Sequence, residues 1–571
     1  MDAGPRRLHV RLSTKQPWGE GVKRPRARGW SLGFGPGLRI LRALMPSASS
    51  VPAAPPRPSG STPLLSAVPD VAPEPSTRLL LLLLLAAALL PRLVLMPFNE
   101  NYYGDAVART ELAERWVNEP HVITSYGDGA YQFGPLHLYV VGAALKVVED
   151  KALAGRLVSL LFGVLSVVPL FSLTRRLFDW RAAVGACLAF SVWGMHLQMS
   201  TTAASEAMSL FFMLWVFALI AEGLDDNRMG PFFGAALVLN LACAVRYDAW
   251  LFMPLLSLAL LFWGEDRVAA ITRAVGFGLL CLPFPLLWMQ GNEMAHGDPF
   301  FPIHAVEQFH ADWTREGVAR VGEWRYRLES LGFWPGVALL TLSPGVALLG
   351  MAGMWRSWRE RPDTRWLVLA ALVPTAYFTF RAVVLLDFQP LGRFTVTELA
   401  VLLPFVVPGL ELVRGAGARR AVAAVCAVLA VAVPLAMGLY TFRADGRLQD
   451  SLRPVSPTST NPVPLMQVAR FLEEEVAPKG GAAVVDQDPS YMDLQLAFFS
   501  GLPDERLARV RWETFRKHLR LANPEYLVRF DNGSLVRDPG VKLEGRTLTL
   551  DGVAYEEQDG FSAPMHVYRR R

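Results

Sequence analysis

The sequence predicts a polytopic α-helical membrane protein with a small α/β domain at its C-terminal end. Three observations predict it. Of 571 residues, 52% are hydrophobic and only 19% charged, with a mean hydropathy of +0.28, against about 25% charged in a soluble chain. Apolar runs recur from Leu79 to Phe442, at the roughly 20-residue length that crosses a hydrocarbon core. Beyond Phe442 the chain turns charged, and one helical pattern is followed by short β-like runs.

The apolar runs place spans at 79–96, 157–173, 182–198, 206–223, 231–246, 248–263, 268–289, 334–355, 366–386, 395–413 and 421–441. With the uncertain pieces between them the total is about 11–13 transmembrane helices. Their connections alternate in charge. The segments 174–181, 224–230, 264–267, 356–365 and 414–420 carry 12 arginines, whereas 199–205, 246–248 and 387–394 carry two. Lys and Arg stay on the cytoplasmic side of a membrane, so the first set reads as inside and the second as outside.

That orientation puts the N-terminus in the cytoplasm and the C-terminal domain outside, in the inner (plasma) membrane if the source is bacterial. Segment 97–156 becomes the first outer loop, in which "GPLHLYVVGAALKVV" is short for a span and reads as an interfacial or re-entrant helix. Segment 290–333 becomes a second long outer loop. The membrane domain so defined is 78–441.

Residues 1–77 hold 13 prolines and 11 Lys/Arg against four acids and show no periodic apolar pattern. They read as a disordered, basic cytoplasmic tail. Met45 is an alternative start that the sequence leaves open. The net charge of +5 is accounted for by basic inner loops, so no nucleic-acid partner is implied. Cys187, Cys243, Cys281 and Cys426 lie in apolar runs without ligand-like spacing; they read as buried small hydrophobes with no disulfide framework. In 442–571, "VPLMQVARFLEEEVA" reads as a helix, and "AAVVDQD", "YLVRF" and "RTLTLDGVAY" as strands of a soluble α/β domain.

Charges at the outer side are the chemical signal. Asp105 follows the first span in "NENYYGDAVARTELAERW", Glu206 opens a helix in "MSTTAASEAMSLFFMLW", Arg246 and Asp248 flank Tyr247 in "VRYDAW", and Arg393 lies in "LDFQPLGRFTVTELAVLLPF". Each has a plain reading: a solvated or N-capping Asp105, a Glu206 favoured by the helix dipole, a local Arg246–Asp248 pair, an Arg393 on lipid headgroups. Together, two acids and two arginines around one apolar bundle suit a transfer reaction. One carboxylate takes a proton from an acceptor hydroxyl. The second orients the acceptor or holds a divalent cation, whose ligands would be Asp105 and Glu206. Arginines clamp a phosphate. His296, Asp298, His304 and His310 in the second outer loop do not have zinc-ligand spacing and read as structural, with a lid over the donor site as the alternative.

In these motifs the sequence resembles the C-type integral-membrane glycosyltransferases, in particular the family 39 branch. That branch is related to dolichyl-phosphate-mannose protein mannosyltransferases and lipid A aminoarabinose transferases. The resemblance runs over roughly 79–413, through "YYGDAVARTELA", "YQFGPLHLYVVGAALKV", "AGRLVSLLFGVLSVVPLFSLTRRLFDWRAA", "TAASEAMSLFFMLWVFALI", "VRYDAWLFMPLL" and "GRFTVTELAVLLP". It implies an inverting transfer of a sugar from a polyprenyl-phosphate-linked donor to an envelope lipid, glycan or protein acceptor at the outer face. It also implies Asp105 as base and Glu206 as the second acid, with Arg393, Arg246, Asp248 and His137 as substrate-binding residues. The chain departs from the family in reading "FGPLH" where His or Lys often precedes two prolines, and in having Glu206 where Asp is frequent. A transporter or flippase of lipid-linked glycans is the main rival. Repeat symmetry and mid-depth charges would mark it, and neither stands out. A non-catalytic envelope scaffold is the other.

Overall fold

A computed structural model describes residues 76–97, 104–130, 133–262, 266–439, 463–487, 492–503, 506–509 and 524–571. The expected N-terminal tail, residues 1–75 of it, lies outside them. Helix α1 (Thr77–Leu95) is a near-continuous leucine run. It leaves Leu79, Leu82, Leu83, Leu90 and Leu93 exposed and turns Leu84, Ala88 and Arg92 into the bundle; an outward leucine stripe suits lipid contact. After α1 come α2 (Gly104–Asn118), a π-helical turn Tyr126–Ala130 and α3 (Pro135–Leu145). At 11 residues, α3 rises only about 16 Å and is too short to cross a bilayer.

Helices α4 (Lys151–Leu165) and α5 (Val167–Leu177) form one 27-residue apolar segment. It starts where Asp150 accepts the Ala152 and Leu153 amides, an N-cap that satisfies otherwise orphaned donors. Asp179 caps α6 (Trp180–Ser191) in the same way. The span expected at 182–198 breaks at Val192, and a short α7 (Gly194–Met199) follows. Then come α8 (Ser205–Asp225), α9 (Met229–Val245), a 3-10 turn Tyr247–Leu251 and α10 (Phe252–Leu261). Next, α11 (Arg267–Leu280) and α12 (Pro283–His296) together make a 30-residue apolar segment.

Segment 290–333, between two expected spans, is mostly helix, holding the end of α12, α13 (Phe301–Val321) and the start of α14 (Glu323–Thr341). Gly297 at φ +69° ends α12, the left-handed conformation that only glycine adopts at little cost. The single span expected at 334–355 is two helices, α14 and α15 (Pro344–Glu360), bent by 115°. Pro344 cannot donate to α14, and Ser343 before it sits at φ 74°, so the helix has to end there. The bundle closes with α16 (Arg365–Phe380), α17 (Val396–Leu402), α18 (Val406–Leu410) and α19 (Ala416–Leu439). Among the described residues, seven segments are long and apolar enough to span, or eight with the bent pair. Segments 229–245 and 247–261 are helical but shorter, so the expected 11–13 exceeds what length and composition alone support.

The C-terminal α/β part opens with α20 (Val463–Phe471) and α21 (Met492–Phe499). Its strands are β1 (Ala483–Val485), β2 (Leu507–Arg509), β3 (Tyr526–Phe530), β4 (Val541–Glu544), β5 (Thr547–Leu550), β6 (Val553–Glu557) and β7 (Met565–Arg570). They form one sheet of order β2-β1-β3-β7-β6-β5-β4, parallel among β2, β1 and β3 and antiparallel beyond. Alternation divides the core. Val485, Val528 and Val567 pack with Leu465, Val468 and Leu496 from the helices, while Val484, Leu527 and Tyr568 pack with Leu548 and Tyr555 on the other face. The domain touches the bundle where Lys151 lies over the Phe498 ring at 4.8 Å.

Candidate active site

Four chain segments deliver charge to one end of the bundle. The first turn of α2 supplies Asp105, and Arg109 follows one turn later on the same face, its guanidinium 4.3 Å over the Phe133 ring. The first turn of α8 supplies Glu206. Arg246 leaves α9 in extended conformation, and Asp248 lies in the first turn of the 3-10 segment Tyr247–Leu251 after it. Arg393 lies in the 3-10 turn Gly392–Thr395 ahead of α17.

The side chains form a connected row. Arg393 Nη2 lies 2.8 Å from Asp105 Oδ2, and Arg109 Nη2 lies 3.8 Å from the same oxygen. The other terminal nitrogen of Arg393 is 4.0 Å from Glu206 Oε1, to which Arg246 Nη1 donates at 2.7 Å. Arg246 Nε donates to Asp248 at 3.0 Å. The structure therefore brings Asp105, Glu206, Arg246, Asp248 and Arg393 together. Glu206 is 2% exposed, and a carboxylate so deep persists only with paired charge.

Neighbouring segments hold these groups in place. Ser159 Oγ donates to the Ala204 carbonyl and accepts the Ala204 amide, just before α8. Arg156 donates to the Thr201 and Met96 carbonyls, and Arg92 to Ser200 Oγ. Arg381 donates to Asp387 at 3.1 Å, and the Tyr326 hydroxyl to Gln389 at 3.0 Å, fixing the stretch that leads to Arg393. His137 is 1% exposed, and among the described residues neither ring nitrogen has a hydrogen-bond partner. It sits there because Gly134 lets α3 begin against α9: a Cβ at 134 would fall 2.2 Å from the Ala244 carbonyl oxygen.

Burial pushes the His137 imidazole down to about 3, with the Arg109 charge adding to it, so the ring is neutral near pH 7. Burial pushes Asp105 up, but Arg393 and Arg109 outweigh it and hold the carboxyl below its ordinary value. Asp105 is ionised at neutral pH and tightly engaged.

A divalent cation, the alternative left open for Asp105 and Glu206, does not fit this donor set. Both carboxylates that would ligate it already face arginine nitrogens, and no third His, Cys, Asp or Glu joins them in a metal-holding cluster among the described residues. Three guanidinium groups already supply the positive charge. The outer-loop histidines do not converge either. His296 stacks on Phe301, His304 pairs with Asp298, and His310 stacks on Phe388.

Sequence reasoning missed two residues near the row, Arg109 and Glu398. Arg109 was legible from its i,i+4 spacing to Asp105. Glu398 is 4% exposed, its Oε2 has no hydrogen-bond partner among the described residues, and it feels the charges of Asp248 and Arg246; no motif marks it within "TVTELAVLLP". His310 also packs edge-on to Phe394, beside Arg393.

Comparison with known proteins adds a frame to this geometry. Residues 132–288 match the family model described as dolichyl-phosphate-mannose-protein mannosyltransferase, a stretch holding His137, Glu206, Arg246 and Asp248. The crystal structure of ArnT from Cupriavidus metallidurans bound to undecaprenyl phosphate matches at a TM-score of 0.58 and 14% identity, covering 86% of this chain and 98% of that one. The chain has the fold of a C-type integral-membrane glycosyltransferase. The apo state of the same ArnT matches at 0.57, with 14% identity and coverages of 85% and 97%. The Archaeoglobus fulgidus oligosaccharyltransferase in complex with zinc and sulfate matches at 0.49 and 15% identity, over 79% of this chain and 68% of that chain. No curated protein matches at a significant level. Within the C-type glycosyltransferase fold, the acid–arginine row sits on the first large loop and on the matching ends of α8, α9 and α17.

Proposed function

We propose that the chain transfers a sugar, with inversion, from a polyprenyl-phosphate-linked donor to an envelope lipid, glycan or protein acceptor at the outer face of the membrane. The observation that carries this reading is the row of two acids, Glu206 buried and Asp105 partly buried, bridged by arginines at one end of a glycosyltransferase fold. Asp105 is the base. It takes the proton of the acceptor hydroxyl as that oxygen bonds to the anomeric carbon. The bond from that carbon to the phosphate oxygen breaks, and its electron pair leaves with the lipid phosphate. Arg393 binds the phosphate, because a guanidinium matches its geometry and charge. Glu206, held by Arg246, orients the acceptor, while Asp248 holds Arg246 in turn. Neutral His137 offers an uncommitted ring nitrogen to a substrate hydroxyl.

The proposed topology follows the arginine bias: N-terminus in the cytoplasm, C-terminal domain outside, residues 78–441 as the membrane domain and 442–571 as the soluble one. Comparing extractable glycolipids and surface glycans of a deletion strain with its parent tests the function. A glycosylated product should vanish in the deletion, return with the wild-type chain and stay absent with Asp105→Asn. An unchanged glycan profile in the deletion would sink the proposal and favour the transporter or scaffold reading.

A further inference from the structure

Asp105 as it stands is poorly placed to be a base. Its Oδ2 lies 2.8 Å from Arg393 Nη2 and 3.8 Å from Arg109 Nη2, and a carboxylate saturated by cations has little drive to take a proton. The partner of Asp105 is also the group assigned to the donor phosphate. The two guanidinium sites of the row are not equivalent. Among the described residues, Arg246 holds two carboxylates, Glu206 at 2.7 Å and Asp248 at 3.0 Å, whereas Arg393 lies 2.8 Å from Asp105 and 4.0 Å from Glu206. For Arg393 to turn to an incoming anion, the close pair with Asp105 at 2.8 Å has to open. Asp105 would keep Arg109 beside it, on its own helix.

We infer that Arg393 hands over from Asp105 to the donor phosphate, so that donor binding itself releases the catalytic base. The inference rests on the glycosyltransferase reading and describes how that site is regulated. The resting ion pair is a lock. A phosphodiester donor brings one negative charge to Arg393, which leaves the Asp105 carboxylate less stabilised and more basic. An acceptor arriving first meets a base still held. As the glycosyl–phosphate bond breaks, its electron pair passes to the departing lipid phosphate, which gains a second negative charge. In the same step the acceptor proton neutralises Asp105. Arg393 thus loses its reason to return to Asp105 while the phosphate draws it harder, and charge is conserved across the exchange. The arrangement couples proton uptake to phosphate departure through one guanidinium and places positive charge where negative charge develops. It also makes the lipid monophosphate product a stronger ligand of Arg393 than the donor.

The test is the affinity of the purified full chain for a short-chain polyprenyl phosphate. Asp105→Asn removes the competitor, so the lipid phosphate should bind about tenfold tighter, the scale of one charge-assisted contact no longer contested. Arg393→Ala should bind it about tenfold or more weakly, and adding Asp105→Asn to Arg393→Ala should recover nothing. Glu206→Gln removes a negative charge from the same site but not the close partner, and should give a smaller gain. Asp105→Ser, which deletes the charge in a smaller side chain, must reproduce the tightening and covers a poorly folding Asn variant. Unchanged affinity in both Asp105 variants overturns the hand-over. So does an equal gain in the Arg393→Ala background, since that would be general relief of repulsion. Turnover of Asp105→Asn, measured on the same preparation, separates the two ideas. Lost turnover with unchanged affinity leaves the base and removes the hand-over. Retained turnover removes Asp105 as the base, whatever its affinity.

Discussion

Arg246 is charged, lies among lipid-grade apolar sequence and serves two acids of unequal burial. The Glu206 side chain is 1% exposed and that of Asp248 25%, so Glu206 depends on the arginine far more. Removing one partner of a buried pair costs about 3–5 kcal/mol, because it leaves the other charge uncompensated. Arg246→Ala should therefore lower both the yield and the melting temperature in detergent. Glu206→Gln added to it should recover most of the lost stability, and Asp248→Ala should be milder than Arg246→Ala. Thermal melts of the purified variants check this. A wild-type melting temperature in Arg246→Ala would show that the row is not what holds this end of the bundle.

The site depends on how closely elements approach one another, and α3 packs tightly against α9 beside His137. The Gly134→Ala Cβ would meet backbone, the Ala244 carbonyl oxygen at 2.2 Å, which cannot rotate away as a side chain can. Helix α3 must shift, carrying His137 with it. A displacement near 1 Å at a reacting centre costs on the order of 100-fold, so Gly134→Ala should lose about that much turnover with little change in expression. Gly230→Ala, whose Cβ meets nothing within 4 Å, should be near neutral. Equal activities for the two would remove α3 from the account. The elements also show what was readable beforehand. Long apolar runs such as α1 and α8 announce themselves by hydropathy, and charge alternation assigned Asp105, Glu206, Arg246 and Arg393 to one side of the membrane. Helix α13 was hidden because a mixed polar helix looks like a loop on a hydropathy scale. The break at Ser343–Pro344 was legible as "LSPG", yet the apolar residues on both sides outweighed the proline. Glu398 stayed hidden because its neighbours reveal nothing of what folds against it.

At the scale of the whole molecule, orientation and reaction have to agree. The arginine bias places the loops around Asp179 and Arg361 inside and Arg571 outside. Reporter fusions there should give inside signals at the first two positions and an outside signal at the third. The reverse pattern would put the acid–arginine row on the cytoplasmic face. The proposed function comes down to one chemical claim: the Asp105 carboxylate takes the proton of the attacking hydroxyl. Asn keeps the shape of Asp and cannot accept that proton. The measurement is sugar transfer from a radiolabelled polyprenyl-phosphate sugar by purified wild-type chain and Asp105→Asn, both checked for folding. The account predicts a fall of about 100- to 10,000-fold, the typical contribution of a general base. Turnover within a few-fold of wild type in a folded Asp105→Asn would contradict it and pass the role to Glu206.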